Sequence, residues 1–235
     1  MGLYLWACCV RRPALVLSPN SAIQAQWAAR TSLFADRQGH SVAEWVSTLP
    51  REPKLLTSLT YQSITLPARV GEDLNARAID LWIQTLLEDD QAESSGAAET
   101  WISELCDHNP DYYRHRLAYY GKRIRDDDAR GGQAMRHLHD SCVQTLSDLR
   151  GAGIGLLILD ECHHLMGHWG RVLAEVSEYF GDPIVVGLTA TPPDRDGRQI
   201  EDIERYDRFF GPVDFEVPVP AVVKDGYLAP YQDLA

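Results

Sequence analysis

The chain has 235 residues, of which 45% are hydrophobic and 24% charged, and its formal net charge is −12. This length and composition predict one sizeable folded domain with a substantial core. The acidic balance argues against a protein coated with nucleic acid, although it leaves room for a local basic or backbone-lined groove. Five scattered cysteines without CxxC spacing favour a reduced, cytoplasmic environment, and the longest early apolar run, residues 3–10, is too short to span a membrane.

Strands and helices are predicted to alternate in the first part of the chain. Residues 14–17 form an apolar run that predicts a buried strand. Residues 21–34 predict the helix that follows it, with Asn20 or Ser21 as its cap. Residues 53–60 predict a second strand, and a further helix is expected to start near Tyr61.

The middle of the chain, from residue 68 to residue 150, differs in character, and we interpret it as a helical insertion within the domain. Residues 73–87 have helical periodicity, whereas residues 89–99 are acidic and small and predict a surface loop. A further helical stripe of apolar residues runs from Met135 to Leu149 and ends at Gly151.

Two apolar runs without alternation follow, at residues 154–159 and 183–188. Such runs predict strands that are covered on both faces, as in parallel sheets. Helical segments between them imply βαβ units with right-handed crossovers. The proline-rich residues 209–235 predict an edge strand followed by a linker. We therefore expect an α/β fold with a mostly parallel central sheet.

Asp160 and Glu161 stand directly after the predicted strand at residues 154–159. Ligands bind at the carboxyl ends of parallel strands, and two adjacent carboxylates there suit a site for a nucleotide and a metal ion. On the dipeptide alone, a helix N-terminus explains the acidic pair equally well. A zinc site is a further alternative, because histidines and cysteines cluster nearby, although without CxxC or HExxH spacing. These residues are His137, His139, Cys142, Cys162, His163, His164 and His168.

Four short motifs, each at the end of a predicted strand, favour the nucleotide site over these alternatives. They are Leu15-Val16-Leu17-Ser18-Pro19-Asn20 with Gln26-Trp27, Thr60-Tyr61-Gln62-Ser63, Asp160-Glu161-Cys162-His163, and Gly187-Leu188-Thr189-Ala190-Thr191-Pro192-Pro193. In this order they resemble motif Ia, the next nucleic-acid contact motif, the DExH form of Walker B and motif III of superfamily 2 DEAD/DEAH-box helicases. The resemblance is to the first RecA-like ATP-binding domain, nearest to DNA-repair and type III restriction motors. It implies a RecA-like three-layer sandwich with a helical insertion.

The resemblance also implies a role for each motif residue. Asp160 would bind the Mg²⁺ of MgATP through water, and Glu161 would orient the hydrolytic water. His163 would couple this ATP site to Thr189 and Thr191, which would pass the nucleotide state to the nucleic-acid groove. Backbone phosphates of the nucleic acid would be contacted by Ser18, Asn20, Thr60 and Gln62.

Other parts that the resemblance implies are not in this sequence. The family's P-loop, Gly-x-x-x-x-Gly-Lys-Ser/Thr, cradles phosphates, and none of the lysines at positions 54, 122 and 224 stands in one. We expect the P-loop before residue 1 and a second RecA-like domain after the segment 222–228, so that residues 1–235 form an incomplete domain. The complete protein would then be an ATP-dependent DNA helicase or translocase, and this chain alone would be inactive. The alternative is a degenerate domain that only binds nucleic acid or protein.

Overall fold

A five-stranded parallel sheet forms the centre of the computed structural model, which describes residues 2–35, 39, 41–68, 71–191, 193–218, 221 and 224–226. The strands are β1 (Ala14–Ser18), β2 (Val46–Ser47), β3 (Leu56–Thr60), β4 (Leu156–Asp160) and β5 (Ile184–Leu188). Their order across the sheet is β2-β3-β1-β4-β5, and every neighbouring pair is parallel. The predicted α/β class with a mostly parallel sheet is confirmed.

Helices connect the strands and surround the sheet. They are α1 (Gly2–Tyr4), which continues as a π-helical segment (Leu5–Val10), α2 (Ser21–Arg30), α3 (Gln62–Thr65), α4 (Glu72–Glu88), α5 (Ser95–His108), α6 (Pro110–Arg130), α7 (Asp140–Gly151), α8 (His168–Tyr179) and α9 (Ile200–Phe210). Short 3₁₀ segments lie at Thr31–Leu33, Val42–Trp45, Ala134–His137 and Cys162–Met166. Within the described residues, none of these helices is both long enough and apolar enough to cross a membrane.

The two faces of the sheet carry separate apolar cores, because side chains alternate along each strand. Leu15 and Leu157 point into one core, which α3, α7 and α8 complete. Val16 and Ile158 point into the other core, which is covered by the N-terminal helical segment and by Trp27 of α2. Helices thus cover both faces, as the near-continuous apolar character of the strands requires. The arrangement is that of the RecA-like three-layer sandwich.

Helices α4, α5 and α6 form a unit with an apolar core of its own. Trp82 of α4 is fully buried at its centre, and its ring stacks on that of Tyr120 with centroids 5.8 Å apart. By contrast, α7 packs its apolar stripe on the core beneath the sheet. We call residues 72–130 the three-helix unit. The extent of an insertion at residues 68–150 stays a prediction.

Two predicted boundaries within the middle segment were wrong. The loop expected at residues 89–99 is shorter, because the Ser94 hydroxyl accepts a hydrogen bond from the Ala97 amide (3.3 Å) and caps α5. The helix expected from Met135 begins only at Asp140, because a 3₁₀ turn and two extended residues precede it.

The predicted edge strand at residues 209–235 is also absent from the part that the structure describes. Residues 209–210 end α9, and residues 211–218 form no strand. Residues 219–220, 222–223 and 227–235 lie outside the described residues, as does most of the expected exit segment at 222–228. Pro192 of the fourth motif lies outside them as well.

An ionic cluster at the end of α6 ties the three-helix unit together and joins it to the neighbouring 3₁₀ turn. Asp128 accepts two hydrogen bonds from Arg77 of α4, at 2.8 and 2.9 Å, and lies 2.7 Å from Nε2 of His137. The hydrogen bonds from Arg77 lower the pKa of Asp128 to about 2; burial opposes this shift and His137 adds to it. A carboxyl group whose pKa is lower in the folded chain stabilises the fold above its unfolded pKa, and this stabilisation is lost as the pH falls through the folded value.

The substitution Asp128→Asn removes this titration. We expect the wild type to unfold with a higher free energy than the variant above about pH 4, and expect the difference to shrink as the pH falls toward about 2. Urea unfolding followed by circular dichroism at several pH values measures it. Asp111→Asn, at a carboxylate whose side chain is 89% exposed, is the matched control and should show little pH-dependent difference. A D128N difference that does not change with pH would contradict the account.

Candidate functional site

The carboxyl ends of four strands meet at one edge of the sheet. In the parallel register Ser18 of β1 pairs with Thr60 of β3, and Asp160 of β4 pairs with Leu188 of β5, directly before Thr189. The strands β1 and β4 also pair with each other, so the order along the edge is β3, β1, β4, β5. Adjacent strands lie about 4.8 Å apart. All four sequence motifs therefore lie along the same edge.

Hydrogen bonds hold Asp160 in place from three directions. Its Oδ2 accepts from the indole Nε1 of Trp27 at 2.6 Å, and its Oδ1 accepts from the Glu161 amide at 3.0 Å. Its main-chain oxygen accepts from the hydroxyl of Tyr61 at 2.8 Å. Two of these partners come from α2 and from the end of β3, so the first two motifs position Asp160 of the third. Sequence reasoning treated Trp27 only as part of a motif and missed this contact.

Tyr61 is a buried support for this edge of the sheet. Its side chain is fully buried, and its ring stacks on Trp169 of α8 with centroids 5.0 Å apart. Burial raises the pKa of Tyr61 above that of an exposed tyrosine, with smaller contributions from nearby acidic groups, so its hydroxyl stays protonated and can donate to Asp160. No face of the ring is available for a nucleic-acid base.

Glu161 has a backbone conformation that few residues other than glycine adopt. Its φ and ψ are 53° and 46°, in the left-handed region. The turn leaves its side chain 35% exposed at the sheet edge, while the next residue, Cys162, is buried beneath it. Such backbone outliers cost about 1–3 kcal/mol and are concentrated at functional sites, where the surrounding structure maintains them.

Cys162 fits beneath the turn because β5 carries a glycine opposite it. A Cβ atom on Gly187 would lie 2.7 Å from the ring of Phe210 and 3.0 Å from Sγ of Cys162. The thiol also lies 3.5 Å from the hydroxyl of Tyr206 on α9. Burial raises the pKa of Cys162, which favours a packed, neutral thiol rather than a nucleophile.

The ring of His163 joins the carboxylate of the third motif to the hydroxyls of the fourth. Its Nδ1 lies 2.7 Å from Oγ1 of Thr189, 3.3 Å from Oγ1 of Thr191 and 3.3 Å from Oε2 of Glu161. The Thr189 hydroxyl donates its single proton to the carbonyl oxygen of Thr191 at 2.7 Å. With its proton directed there, Thr189 accepts from His163, and this hydrogen-bond pattern assigns a hydrogen to Nδ1. Thr189 and Glu161 consequently compete for one N–H group.

The four residues predicted to contact nucleic acid differ in accessibility. Asn20 is exposed and caps α2 by accepting from the Ile23 amide at 3.0 Å, and Gln62 is exposed at the start of α3. Thr60 is half-buried, with its hydroxyl 3.0 Å from that of Ser63. Ser18 is fully buried, and its hydroxyl reaches no hydrogen-bond partner among the described residues. In this conformation its side chain offers no contact to a phosphate.

The acidic pair at the end of β4 fits a hydrated Mg²⁺ ion. Each carboxylate oxygen can accept two hydrogen bonds or ligands, so Asp160 keeps acceptor sites after binding Trp27 and the Glu161 amide. Oxygen ligands suit Mg²⁺, which usually keeps several of its waters. The half-buried Asp160 and the partly exposed Glu161 offer such oxygens side by side.

The zinc alternative finds no support in the same region. Across the described ranges, no three histidine, cysteine, aspartate or glutamate side chains are grouped to hold a metal ion. Instead, His137 contacts Asp128, His163 contacts Thr189, and His168 contacts the main-chain oxygen of Thr65.

A double-mutant cycle tests whether Trp27 holds Asp160. We expect Trp27→Phe and Asp160→Ala to show a coupling of about 1–2 kcal/mol in the free energy of unfolding, because either change removes the same partly buried hydrogen bond. Urea denaturation of the two single variants and the double variant measures it. The exposed Trp45, replaced by Phe, gives the control cycle with Asp160→Ala and should show no coupling. Equal coupling in the two cycles would contradict the assignment.

Comparison with known proteins shows which family this chain belongs to. The model of the family described as "Type III restriction enzyme, res subunit" matches residues 5–194. The "Type I restriction enzyme EcoAI endonuclease subunit" of Escherichia coli is 31% identical over 77 residues, which make up 33% of this chain and 9% of that protein. No solved structure matches. The family match covers most of the sequence and all four strand-end motifs, so the chain belongs to the restriction-enzyme res subunit family and contains its helicase-like motor domain.

Proposed function

We propose that this chain is the first motor domain of an ATP-dependent DNA helicase or translocase of the restriction type. The observation that carries the proposal is the shared N–H group of His163, which links Glu161 after β4 to Thr189 after β5. A motor requires a link of this kind, because a change at the site of ATP hydrolysis must be passed to the surface that binds nucleic acid. The proposal assigns the P-loop and the second RecA-like domain to parts of the protein outside these 235 residues.

The two carboxylates have different roles in the proposed site. When bound, MgATP would supply the phosphoryl group and the charge that activates it. Asp160, fixed by Trp27 and by the Glu161 amide, would hold the waters of the metal ion at a constant position. Glu161, whose side chain is 35% exposed, accepts no indole hydrogen bond among the described residues, so its carboxylate can orient an attacking water and accept its proton.

His163 would report on the state of Glu161. While Glu161 carries its negative charge, its carboxylate competes with the Thr189 hydroxyl for the hydrogen on Nδ1. If Glu161 takes up a proton from water, that competition weakens, and the hydrogen bond from Nδ1 of His163 to the Thr189 hydroxyl becomes stronger. The hydrogen bonds between Thr189 and Thr191 would then carry the change into the segment after β5.

Nucleic acid would pass along the same edge of the sheet, beside β1 and β3. The exposed Asn20 and Gln62 and the partly buried Thr60 would contact the phosphate backbone, and such contacts do not read sequence. They involve amides and hydroxyls rather than lysines, so they are compatible with a net charge of −12. The restriction-type family and the E. coli relative favour DNA over RNA. We further propose that the protein acts in the cytoplasm.

The substitution Glu161→Gln tests the proposed hydrolytic role in the complete protein. We expect DNA-stimulated ATP turnover to fall by at least about 100-fold, because an amide cannot accept the proton of the attacking water. ATP binding should remain within a few-fold of the wild type. A coupled phosphate-release assay measures turnover, and fluorescence of a labelled ATP analogue measures binding.

Glu178→Gln is the matched control, since Glu178 is exposed on α8 and belongs to none of the four motifs. It should turn over ATP as the wild type does. Wild-type turnover in the Glu161→Gln variant would remove Glu161 from the mechanism. The absence of any ATP turnover in the complete wild-type protein, with DNA present, would favour the degenerate binding module instead.

A further inference from the structure

One segment of this acidic chain is strongly basic. Residues 111–125 of α6 contain five arginine or lysine residues and one aspartate, whereas the whole chain has a net charge of −12. The acidic run that follows is already paired. Asp126 lies 3.8 Å from Arg171, Asp127 lies 3.1 Å from Arg130, and Asp128 binds Arg77. These aspartates therefore do not neutralise the basic residues of α6 before them.

Aromatic and basic side chains alternate along one exposed face of α6. Each member lies three or four positions from another member on an adjacent turn, so they lie on the same side of the helix. Tyr112 is 42% and Tyr119 48% exposed, and the basic members are exposed as well. We call this set the α6 stripe; its members are Tyr112, His115, Tyr119, Lys122 and Arg123.

The basic members of the α6 stripe are available to a ligand. In the part of the chain that the structure describes, neither Lys122 nor Arg123 forms a salt bridge with a carboxylate. The only carboxylate-paired arginine in the basic segment is Arg114, which binds Asp111 within the described residues and lies outside the stripe. Unpaired cations on an acidic protein mark a local surface for a negatively charged partner.

The platform beneath the α6 stripe is rigid. The guanidinium of Arg116 lies 5.5 Å from the ring centre of Tyr119 and 5.0 Å from that of Tyr120, and it donates to the Tyr120 hydroxyl at 2.9 Å. Tyr120 is buried against Trp82, and Tyr119 packs edge-on against Tyr120 at 5.2 Å. These contacts thus hold Tyr119 with part of its ring exposed. Because the ring is already fixed, Tyr119 would lose little side-chain freedom when a ligand binds.

We propose that the α6 stripe is a second nucleic-acid-binding surface, which takes a single strand by stacking bases on Tyr112 and Tyr119 and by pairing phosphates with Lys122 and Arg123. The two tyrosines are seven residues apart, or about 10 Å along the helix. Exposed aromatic rings between cations are how proteins bind single strands without reading sequence. An acidic protein segment would use the cations but would leave two exposed rings unused. The preference for nucleic acid among polyanions rests on the proposed function.

The experiment measures binding of a fluorescein-labelled oligothymidylate to the 235-residue chain by anisotropy, over a series of salt concentrations. Tyr119→Ala should weaken binding at least about fivefold and leave the salt dependence unchanged, because stacking involves no counterion release. Arg123→Ala should weaken binding and reduce the slope of log affinity against log salt by about 0.7. Arg208→Ala is the matched control, since Arg208 is also an exposed helical arginine, on α9. It should bind as the wild type does.

Three results would overturn the proposal. They are an absence of oligothymidylate binding by the wild type, wild-type binding by both stripe variants, and displacement of the oligonucleotide by polyaspartate of equal charge as readily as by unlabelled oligonucleotide. The test is separable from that of the motor function. If Asn20→Ala with Gln62→Ala weakens binding while the stripe variants do not, the α6 stripe is refuted and the proposed function stands. If the stripe variants weaken binding but the complete wild-type protein turns over no ATP with DNA present, the stripe stands and the motor assignment fails.

Discussion

The parallel pairing of β4 with β1 and β5 is the constraint on which the site depends. Because the three strands run in the same direction, Asp160, Ser18 and Thr189 emerge at one edge, although they are far apart in sequence. Parallel strands in this position must be apolar on both sides, and helices must cover both faces. The two apolar cores and the position of the site are thus consequences of the same pairing.

Contacts between the motifs give Asp160 and Glu161 different environments. Trp27 and Tyr61 fix Asp160, and neither aromatic residue touches Glu161 through a hydrogen bond in the described residues. Glu161 instead shares the N–H group of His163 with Thr189. The carboxylate of Asp160 is therefore fixed by its partners. The carboxylate of Glu161 contacts the His163 ring, whose hydrogen bond to Thr189 can change when Glu161 changes. The left-handed backbone at Glu161 is the local cost of separating the two side chains.

The sequence predicted the parts of this arrangement that depend on local pattern. Long apolar runs identified β1, β4 and β5, and their polar ends identified the edge of the site. The contact between Trp27 and Asp160 could not be predicted, because it joins positions 133 residues apart and needs the packing of α2 on the sheet. The start of α5 was missed because the acidic, small residues of the segment outweighed the capping signal of Ser94. The buried state of Ser18 likewise follows from packing rather than from its motif.

The central claim is that His163 carries its hydrogen on Nδ1 and shares it between Thr189 and Glu161. Nitrogen-15 NMR of the histidine-labelled chain at about pH 8 tests this directly, because the two ring nitrogens give different shifts in the two neutral tautomers. The account predicts an Nδ1–H tautomer for His163, whose signal is assigned by its disappearance in His163→Gln. It also predicts that the chemical shift of that hydrogen changes in Thr189→Val. An Nε2–H tautomer with a bare Nδ1, unchanged in Thr189→Val, would contradict it.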